Sequence, residues 1–454
     1  MRGPIILAHM IITKAHQLID KYGGAVPRYT SFPTAVQFHE GYTHKDARTN
    51  LKALRADENI SIYIHIPFCH SLCHYCGCHT KIVHRTKPIS DYIETLCREI
   101  RLAGECLENK LVIRRVHFGG GSPNYAPIEG LRKIMATICD VFGLDQNPVI
   151  DMECDPRLLD RGKIEDLLGL GVKRFSFGIQ DFNQKVQAAI NRFQSFELVK
   201  EQVFFLRARG MQNINFDLII GLPEQTLETV QETLQQVFML EPSRIAVFPY
   251  AHVPWMKKHQ KLLEKYRLPD AQRRFAMAML MHEMLNASGY KEIGIDHYAL
   301  PHDALAKAQT KNSMKRNFQG YTDDDSDVVL GFGLSAISQF KSSYAQNTTD
   351  VPSYRKNVES GILPTRRGLV LSSADTILRE IIMTIMCDFG IDLNHYEADF
   401  IPYDRLAGLQ QDGLITIKDK TLKITEAGKP FTRVIASTFD PYLNAREQRH
   451  AKAI

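Results

Sequence analysis

No stretch of this 454-residue sequence holds the roughly 18 to 20 consecutive apolar residues that would carry it across a bilayer, so no membrane span is expected. Its opening, "MRGPIILAHMIIT", has an early arginine and an apolar patch, but His9 interrupts the patch and no small-residue cleavage site follows. The protein is therefore expected in the cytoplasm. The net charge of +5 is slight for the length, and no stripe of Lys and Arg stands out along one face. Nucleic acid gains no support as a partner from that pattern, whereas acidic small-molecule substrates fit it. Low-complexity tracts are absent, and so is the even spread of cysteines that marks a secreted disulfide scaffold. The nine cysteines are odd in number, and four of them crowd into "YIHIPFCHSLCHYCGCHT" as Cys69, Cys73, Cys76 and Cys78. A reducing compartment and a metal site account for that crowding better.

From Ile60 to about Ala299 one theme recurs: a short β-branched or aromatic run, a Gly-rich or polar turn, then a helical pattern. The runs are "SIYIHI", "IRRVHFGG", "VIDMEC", "KRFSFGI", "INFDLIIG" and "RIAVFPYA", with "EIGIDHYA" as a candidate seventh. Helical segments such as "DYIETLCREIRLAGE" and "ETVQETLQQVFML" lie between them, which implies crossover-connected parallel strands. The pattern is that of a complete or partial β/α barrel, although an open doubly wound sheet would give the same string. In barrels the chemistry sits where strands end, and the polar oddities fall there: the cysteine loop, "GGGSPN", Glu153 and Asp155, Gln180 and Asp181, Asp217, and "YAHVP".

Outside that block the sequence predicts an N-terminal arm over residues 1–50, a catalytic domain over 51–365 and a smaller domain over 366–454. The arm is punctuated by Gly and Pro in "KYGGAVPRYTSFPTA" and must gain its order by docking. Residues 323–327 read as an acidic loop, and "VPSYRKNVESGILPTRRG" reads as a linker. The last domain shows helical patterns, then two short strands around an Asp-Lys turn, a mostly helical, winged-helix-like arrangement.

The cysteine loop admits two metal readings. Zinc would take four N or S ligands, and His65, His70, His74 and His79 are near, but its usual second Cys pair is missing. Cys-x3-Cys-x2-Cys on a single loop suits an iron-sulfur cluster held by Cys69, Cys73 and Cys76. Three thiolates on a four-iron cluster leave one iron open to a substrate or cofactor. Cys78 is a poor fourth ligand, since Gly77 alone separates it from Cys76.

With Tyr75 just before its last cysteine and "HFGGGSPN" downstream, this loop resembles the signature of radical S-adenosylmethionine (SAM) enzymes. The fold implied is the partial (β/α)6 barrel of that superfamily. The extra Cys78, the arm "PRYTSFPTA" and the ordered segments "DFNQKVQAAINR", "INFDLIIGLPEQT", "YAHVP", "DHYA", "RNFQGYT" and "GLSAIS" resemble, more narrowly, the oxygen-independent coproporphyrinogen III oxidase family. That resemblance implies conversion of two propionates of coproporphyrinogen III to vinyl groups, giving protoporphyrinogen IX. It also implies a [4Fe-4S] cluster on three cysteines and two SAM molecules. Tyr63, Gly120, Glu153 and Ile337 match the family's set around the first SAM, and a carboxylate at Glu153 suits a positively charged centre. Tyr75, Gly121, Ser122, Gln180, Arg192, Asp217 and Ala251 match the set around the second, with Arg192 placed to pair a carboxylate and Asp217 a ribose hydroxyl. Phe318 and Gln319 belong near the same mouth.

Three departures from the family pattern stand out. Phe193 follows Arg192 where an acidic residue is more usual, Pro249 precedes Tyr250 where an amide is common, and Ser122 and Asn124 replace two threonines. The resemblance further implies a monomer served by an electron donor of flavodoxin or ferredoxin type. Two rival readings are a radical SAM relative acting on another tetrapyrrole and a non-catalytic haem chaperone; the long arm favours the oxidase over both.

Overall fold

A computed structural model describes residues 17–443; the apolar opening weighed above for export, the rest of residues 1–16, and residues 444–454 lie outside them. The six runs become strands β1 (Ile60–Ile66), β2 (Ile113–Gly120), β3 (Leu144–Cys154), β4 (Val172–Gln180), β5 (Ile214–Ile220) and β6 (Arg244–Pro249). They lie side by side in chain order, all parallel. Successive side chains of a strand point to opposite faces, and Ile60, Ile62, Ile64 and Ile66, which share one face of β1, are fully buried. The helix Lys87–Gly104 shows how the crossovers pack: Ile89, Tyr92, Ile93, Leu96 and Ile100 recur at three- and four-residue spacing and are all buried. The helix Leu227–Leu240 begins at Thr226, whose side chain accepts from the Thr229 N–H and satisfies one of the free donors of the first turn.

The candidate seventh parallel strand forms differently. "EIGIDHYA" turns at Gly294, whose φ is +56°, and folds back as the antiparallel hairpin β7 (Lys291–Ile293) and β8 (His297–Ala299), with β8 antiparallel to β6. The seventh parallel strand comes instead from β9 (Val328–Phe332), which pairs with β1 on the opposite side of the sheet. Antiparallel strands β10 (Ile337–Gln339), β11 (Ser343–Asn347) and β12 (Thr365–Val370) extend that side. The result is an open twelve-stranded sheet, β12-β11-β10-β9-β1-β2-β3-β4-β5-β6-β8-β7, whose parallel part is a partial barrel.

The segment read as a linker is ordered structure. Residues Val351–Glu359 form a helix that buries Tyr354 and Val358 at four-residue spacing, and the remainder leads into β12. The chain thus leaves the main sheet only after Val370, five residues beyond the boundary expected at 365. Beyond it, the helix Ser373–Asp388 packs with a three-stranded sheet of β13 (Gly390–Asp392), β14 (Ile415–Lys418) and β15 (Thr421–Ile424). The turn between β14 and β15 uses Asp419 and Lys420, both at positive φ. Leu18, Ile19, Tyr29 and Phe32 of the arm share one apolar core with Ile381, Ile385, Leu406 and Phe431. Docking on the small domain orders the arm together with bonds to the main domain, where Arg316 donates to the Arg28 and Tyr29 carbonyls and Tyr344 to that of Phe32.

Candidate active site

The cysteine loop leaves β1 and is tied down along its length. The Val83 N–H donates to the Cys69 carbonyl, Asn191 to that of Leu72, Gln260 to that of Tyr75, and Lys257 to that of Cys78; His259 Nε2 lies 2.8 Å from the Cys76 carbonyl. On its inner side the glycine segment passes at close range. A Cβ at Gly121 would lie 2.7 Å from the Phe68 carbonyl oxygen and 3.0 Å from Cys69 Sγ, so only glycine fits. Ser122 Oγ stands 3.5 Å from Cys69 Sγ, and Arg192 Nη1 stands 3.5 Å from Cys73 Sγ. Among the described residues no group of three or more His, Cys, Asp or Glu is arranged to hold a single metal ion. Three thiols on one fixed loop, with cationic and hydroxyl donors aimed at two of them, fit a cluster on which each thiolate takes a different iron. Cys78 lies beside Cys76, and its hydrogen bond draws the Cys76 thiol down to about 6.

A cavity of about 530 Å³ opens beside this loop. Its wall brings together Tyr63, Gly120, Glu153 and Ile337, with Cys78, Phe318 and Gln319. Gly120 and Glu153 come from the ends of neighbouring parallel strands, as a barrel mouth requires, Tyr63 from the middle of β1 and Ile337 from β10. Gly120 has φ +115°, and a Cβ there would fall 2.6 Å from the His65 ring. Its N–H donates to Glu153 Oε2 at 3.0 Å, while His117 Nε2 lies 3.3 Å from Oε1. Burial pushes the Glu153 carboxyl up, but the bonds from His117 and Gly120 outweigh it, and the group is held below its ordinary value. Glu153 is thus a fixed negative charge at the wall. His65 Nε2 faces the His79 carbonyl at 3.0 Å and its Nδ1 faces the Tyr63 hydroxyl at 3.1 Å. Burial lowers the His65 pKa to about 4, so the ring is neutral, with its proton on Nε2 and Nδ1 accepting from Tyr63.

The second set is not gathered into one cavity. Gly121 and Ser122 line the loop at Cys69, as above, and Tyr75 packs against Val186, Ile190 and Tyr250. Gln180 ends β4 at φ +67°. Ala251 faces an outer cavity of about 570 Å³ beyond β6. Asp217 points into an inner cavity of about 150 Å³ together with His117 and Glu153. It accepts from Asn215 Nδ2 at 2.8 Å and Ser176 Oγ at 3.1 Å, and burial, reinforced by Glu153, raises its pKa to about 6. Arg192 is engaged within the protein: Nη2 donates to the Gly178 carbonyl at 2.6 Å and pairs with Asp155 at 3.4 Å. Arg157 Nη2 meets the same carboxylate at 2.7 Å.

Below the mouth the structure holds a charged layer that the sequence reading left out. Arg115 on β2, Arg174 on β4 and Arg244 on β6 converge on Asp323 at 2.8, 3.6 and 3.3 Å. Asp151 stands 3.7 Å from Arg115, and Asp303 stands 2.6 Å from Arg244. The first residue of the acidic loop therefore closes the inside of the barrel under the site. An arginine near the start of three of the six runs was the available signal.

Residues 63–237 match the model of the Radical SAM superfamily, and residues 371–431 match that of the HemN C-terminal domain. A partial parallel barrel with three cysteines on the loop after its first strand places the chain in the radical SAM class. Oxygen-independent coproporphyrinogen III oxidase of Bradyrhizobium diazoefficiens is 38% identical over 437 residues, covering 94% of this chain and 97% of its own. Its namesake in Pseudomonas aeruginosa is 38% identical over 453 residues, covering 96% and 98%. The solved structure of coproporphyrinogen III oxidase (HemN) from Escherichia coli, described as a radical SAM enzyme, superposes with a TM-score of 0.88 at 33% identity, covering 94% of this chain and 98% of that one. The chain belongs to the oxygen-independent coproporphyrinogen III oxidase family.

Proposed function

We propose that this barrel mouth carries out the oxygen-independent oxidative decarboxylation of two propionates of coproporphyrinogen III, yielding protoporphyrinogen IX. The observation that carries the reading is the 530 Å³ cavity, which joins Tyr63, Gly120, Glu153 and Ile337 directly to the cysteine loop. Each propionate gives one vinyl group and one CO2, together with one hydrogen atom and one electron that must be accepted. When bound, the [4Fe-4S] cluster and SAM supply the 5′-deoxyadenosyl radical that takes the hydrogen from the propionate β-carbon.

The rest is positioning by the chain. Cys69, Cys73 and Cys76 hold the cluster. Glu153, kept ionised by His117 and Gly120, pairs with the ammonium or sulfonium centre of the first SAM. Gly120 and Gly121 let backbone come close where a Cβ would collide with His65 or Cys69. Tyr63, steadied by neutral His65, covers one side of the cavity and Ile337 another, which keeps water from the radical. Asp217 takes a ribose hydroxyl of the second SAM from the inner cavity, while Gln180, Tyr75 and Ala251 stand apart from it. Arg192 acts as a positioning residue, holding Asp155 and Cys73 in place of a substrate carboxylate. Phe318 and Gln319 complete the first cavity. The protein works as a cytoplasmic monomer and receives its electron from a flavodoxin- or ferredoxin-type carrier.

Coproporphyrinogen III deuterated at the propionate β-carbons tests this reading. Anaerobic turnover should place deuterium in 5′-deoxyadenosine; unlabelled 5′-deoxyadenosine alongside vinyl product would move the abstraction elsewhere.

A further inference from the structure

The outer cavity of about 570 Å³ shares Ala251 with the set assigned to the second SAM, and the rest of its lining has no role in that chemistry. Gln260 is fully buried between this cavity and the cysteine loop: its Nε2 donates to the Tyr75 carbonyl at 2.9 Å and to the Ala251 carbonyl at 3.3 Å, and its Oε1 accepts from the Val253 N–H at 2.6 Å. Tyr75 precedes Cys76 in the cysteine loop, and Ala251 lines the outer cavity. One side chain therefore joins the two walls.

The cavity's lining combines cationic and apolar groups. Arg28 comes from the arm, where its Nη2 donates to the Pro249 carbonyl at 2.7 Å and its guanidinium lies 5.9 Å from the Phe248 ring. Arg274 comes from the helix Ala271–Ala287, its stem packed so closely on Gly221 that a Cβ there would lie 2.8 Å from Arg274 Cδ. Tyr250 and Trp255 add aromatic surface, and Trp255 is 48% exposed, with Met256 beside it 68% exposed. Among the described residues Asp270 is the one carboxylate on the lining; it accepts from the Arg273 N–H at 2.8 Å, and its charge also acts on Arg274. Two guanidinia from different elements on a wall that also carries Tyr250 and Trp255 suit an apolar ring system edged with carboxylates.

We propose that this outer cavity is a carboxylate subsite, in which Arg28 and Arg274 hold the two propionates that survive the reaction while Trp255 covers the adjoining pyrroles. The proposal rests on the reading of coproporphyrinogen III as substrate. It explains why an arm docked on the small domain closes over β6: the arm delivers one of the two guanidinia. Product keeps the same pair of propionates, so the contacts hold the macrocycle in place through both decarboxylations.

Coproporphyrin III, the stable oxidised ring with the same four propionates, is the probe, titrated into the full-length protein and followed by its visible absorption band. Its tetramethyl ester is the control. Arg28→Gln and Arg274→Gln should each weaken binding of the acid about ten-fold, the worth of one charge-assisted hydrogen bond, and raise KM for coproporphyrinogen III with little change in kcat. Trp255→Ala should weaken acid and ester alike. SAM binding should be unchanged in all three. Arg28 also fastens the arm, so Arg28→Lys, which keeps the charge, and Arg274→Gln, which does not touch the arm's bond to Pro249, separate charge loss from arm release. Wild-type affinity for the acid in both glutamine variants, or an ester bound as tightly as the acid, overturns the subsite. A wild-type protein that binds the acid through both arginines and converts none of the substrate would overturn the catalytic reading and leave the subsite standing.

Discussion

Arg192 Nη1 lies 3.5 Å from Cys73 Sγ, and the same guanidinium pairs with Asp155, so one buried cation ties the cysteine loop to the end of β3. Burial pushes the Asp155 carboxyl up, but Arg192 and then Arg157 outweigh it and hold its pKa below the ordinary value. A depressed carboxyl contributes stability that is present at neutral pH and is lost as pH falls through the lowered folded value. Arg192→Leu removes the larger of the two opposing charges and leaves Asp155 to Arg157. We expect a loss of about 3 kcal/mol in urea unfolding at pH 7, the lower end for breaking a buried pair. Acid unfolding should also begin at higher pH in the variant. Equal stability of the two proteins at pH 7 would show that Arg157 alone suffices.

Gly120→Ala places a Cβ within 2.6 Å of the His65 ring at a φ of +115°. Strain and collision fall on the residue whose N–H holds Glu153. The variant should bind SAM at least ten-fold more weakly by equilibrium dialysis, while iron and sulfide content stay near wild type. Gly121→Ala, which presses on Cys69 Sγ, should instead lower the iron content.

Cys78 faces the cavity that holds Glu153 and lies outside the three-cysteine spacing. Cys78→Ser is expected to retain wild-type iron and sulfide while activity falls. Cys73→Ser should lose the cluster. Equal iron loss in both would make Cys78 a ligand and remove the open iron from the account.

Asp217 titrates at about 6, raised by burial and by Glu153, so it is ionised at pH 7.5 and largely protonated below pH 5.5. A raised carboxyl loses its charge as pH falls through that value, and with it the charge-assisted strength with which it accepts from the ribose of the second SAM. Bound SAM should drop from two per chain at pH 7.5 towards one at pH 5.5. Asp217→Asn should bind one at both. A pH-independent stoichiometry of two would remove Asp217 from the second site.

The sequence showed the six strands of the barrel because each is a short β-branched or aromatic run bounded by a Gly-rich or polar turn, "SIYIHI", with Ile at every second position, being the clearest. The seventh, "VVLGF", has the same character, but its partner β1 lies more than 260 residues away, and strand pairing at that distance leaves no local trace. "EIGIDHYA" misled for the opposite reason: its composition is that of a strand, and only the turn at Gly294 makes it a hairpin. In the site, the cysteines and glycines were legible because their spacing is local. The engagement of Arg192 by Asp155 and the meeting of three arginines on Asp323 were not, since both depend on where separate strands bring their side chains.

The central claim is that one cavity at this barrel mouth converts propionates to vinyl groups by radical chemistry. The most direct measurement is anaerobic: protein reconstituted with iron and sulfide, reduced, given SAM with and without coproporphyrinogen III, and followed by mass spectrometry of both nucleoside and porphyrin. The account predicts two successive losses of CO2 with two hydrogens each, and 5′-deoxyadenosine rising with every loss. 5′-Deoxyadenosine without any change in the tetrapyrrole, or none at all from a fully loaded cluster, would contradict it.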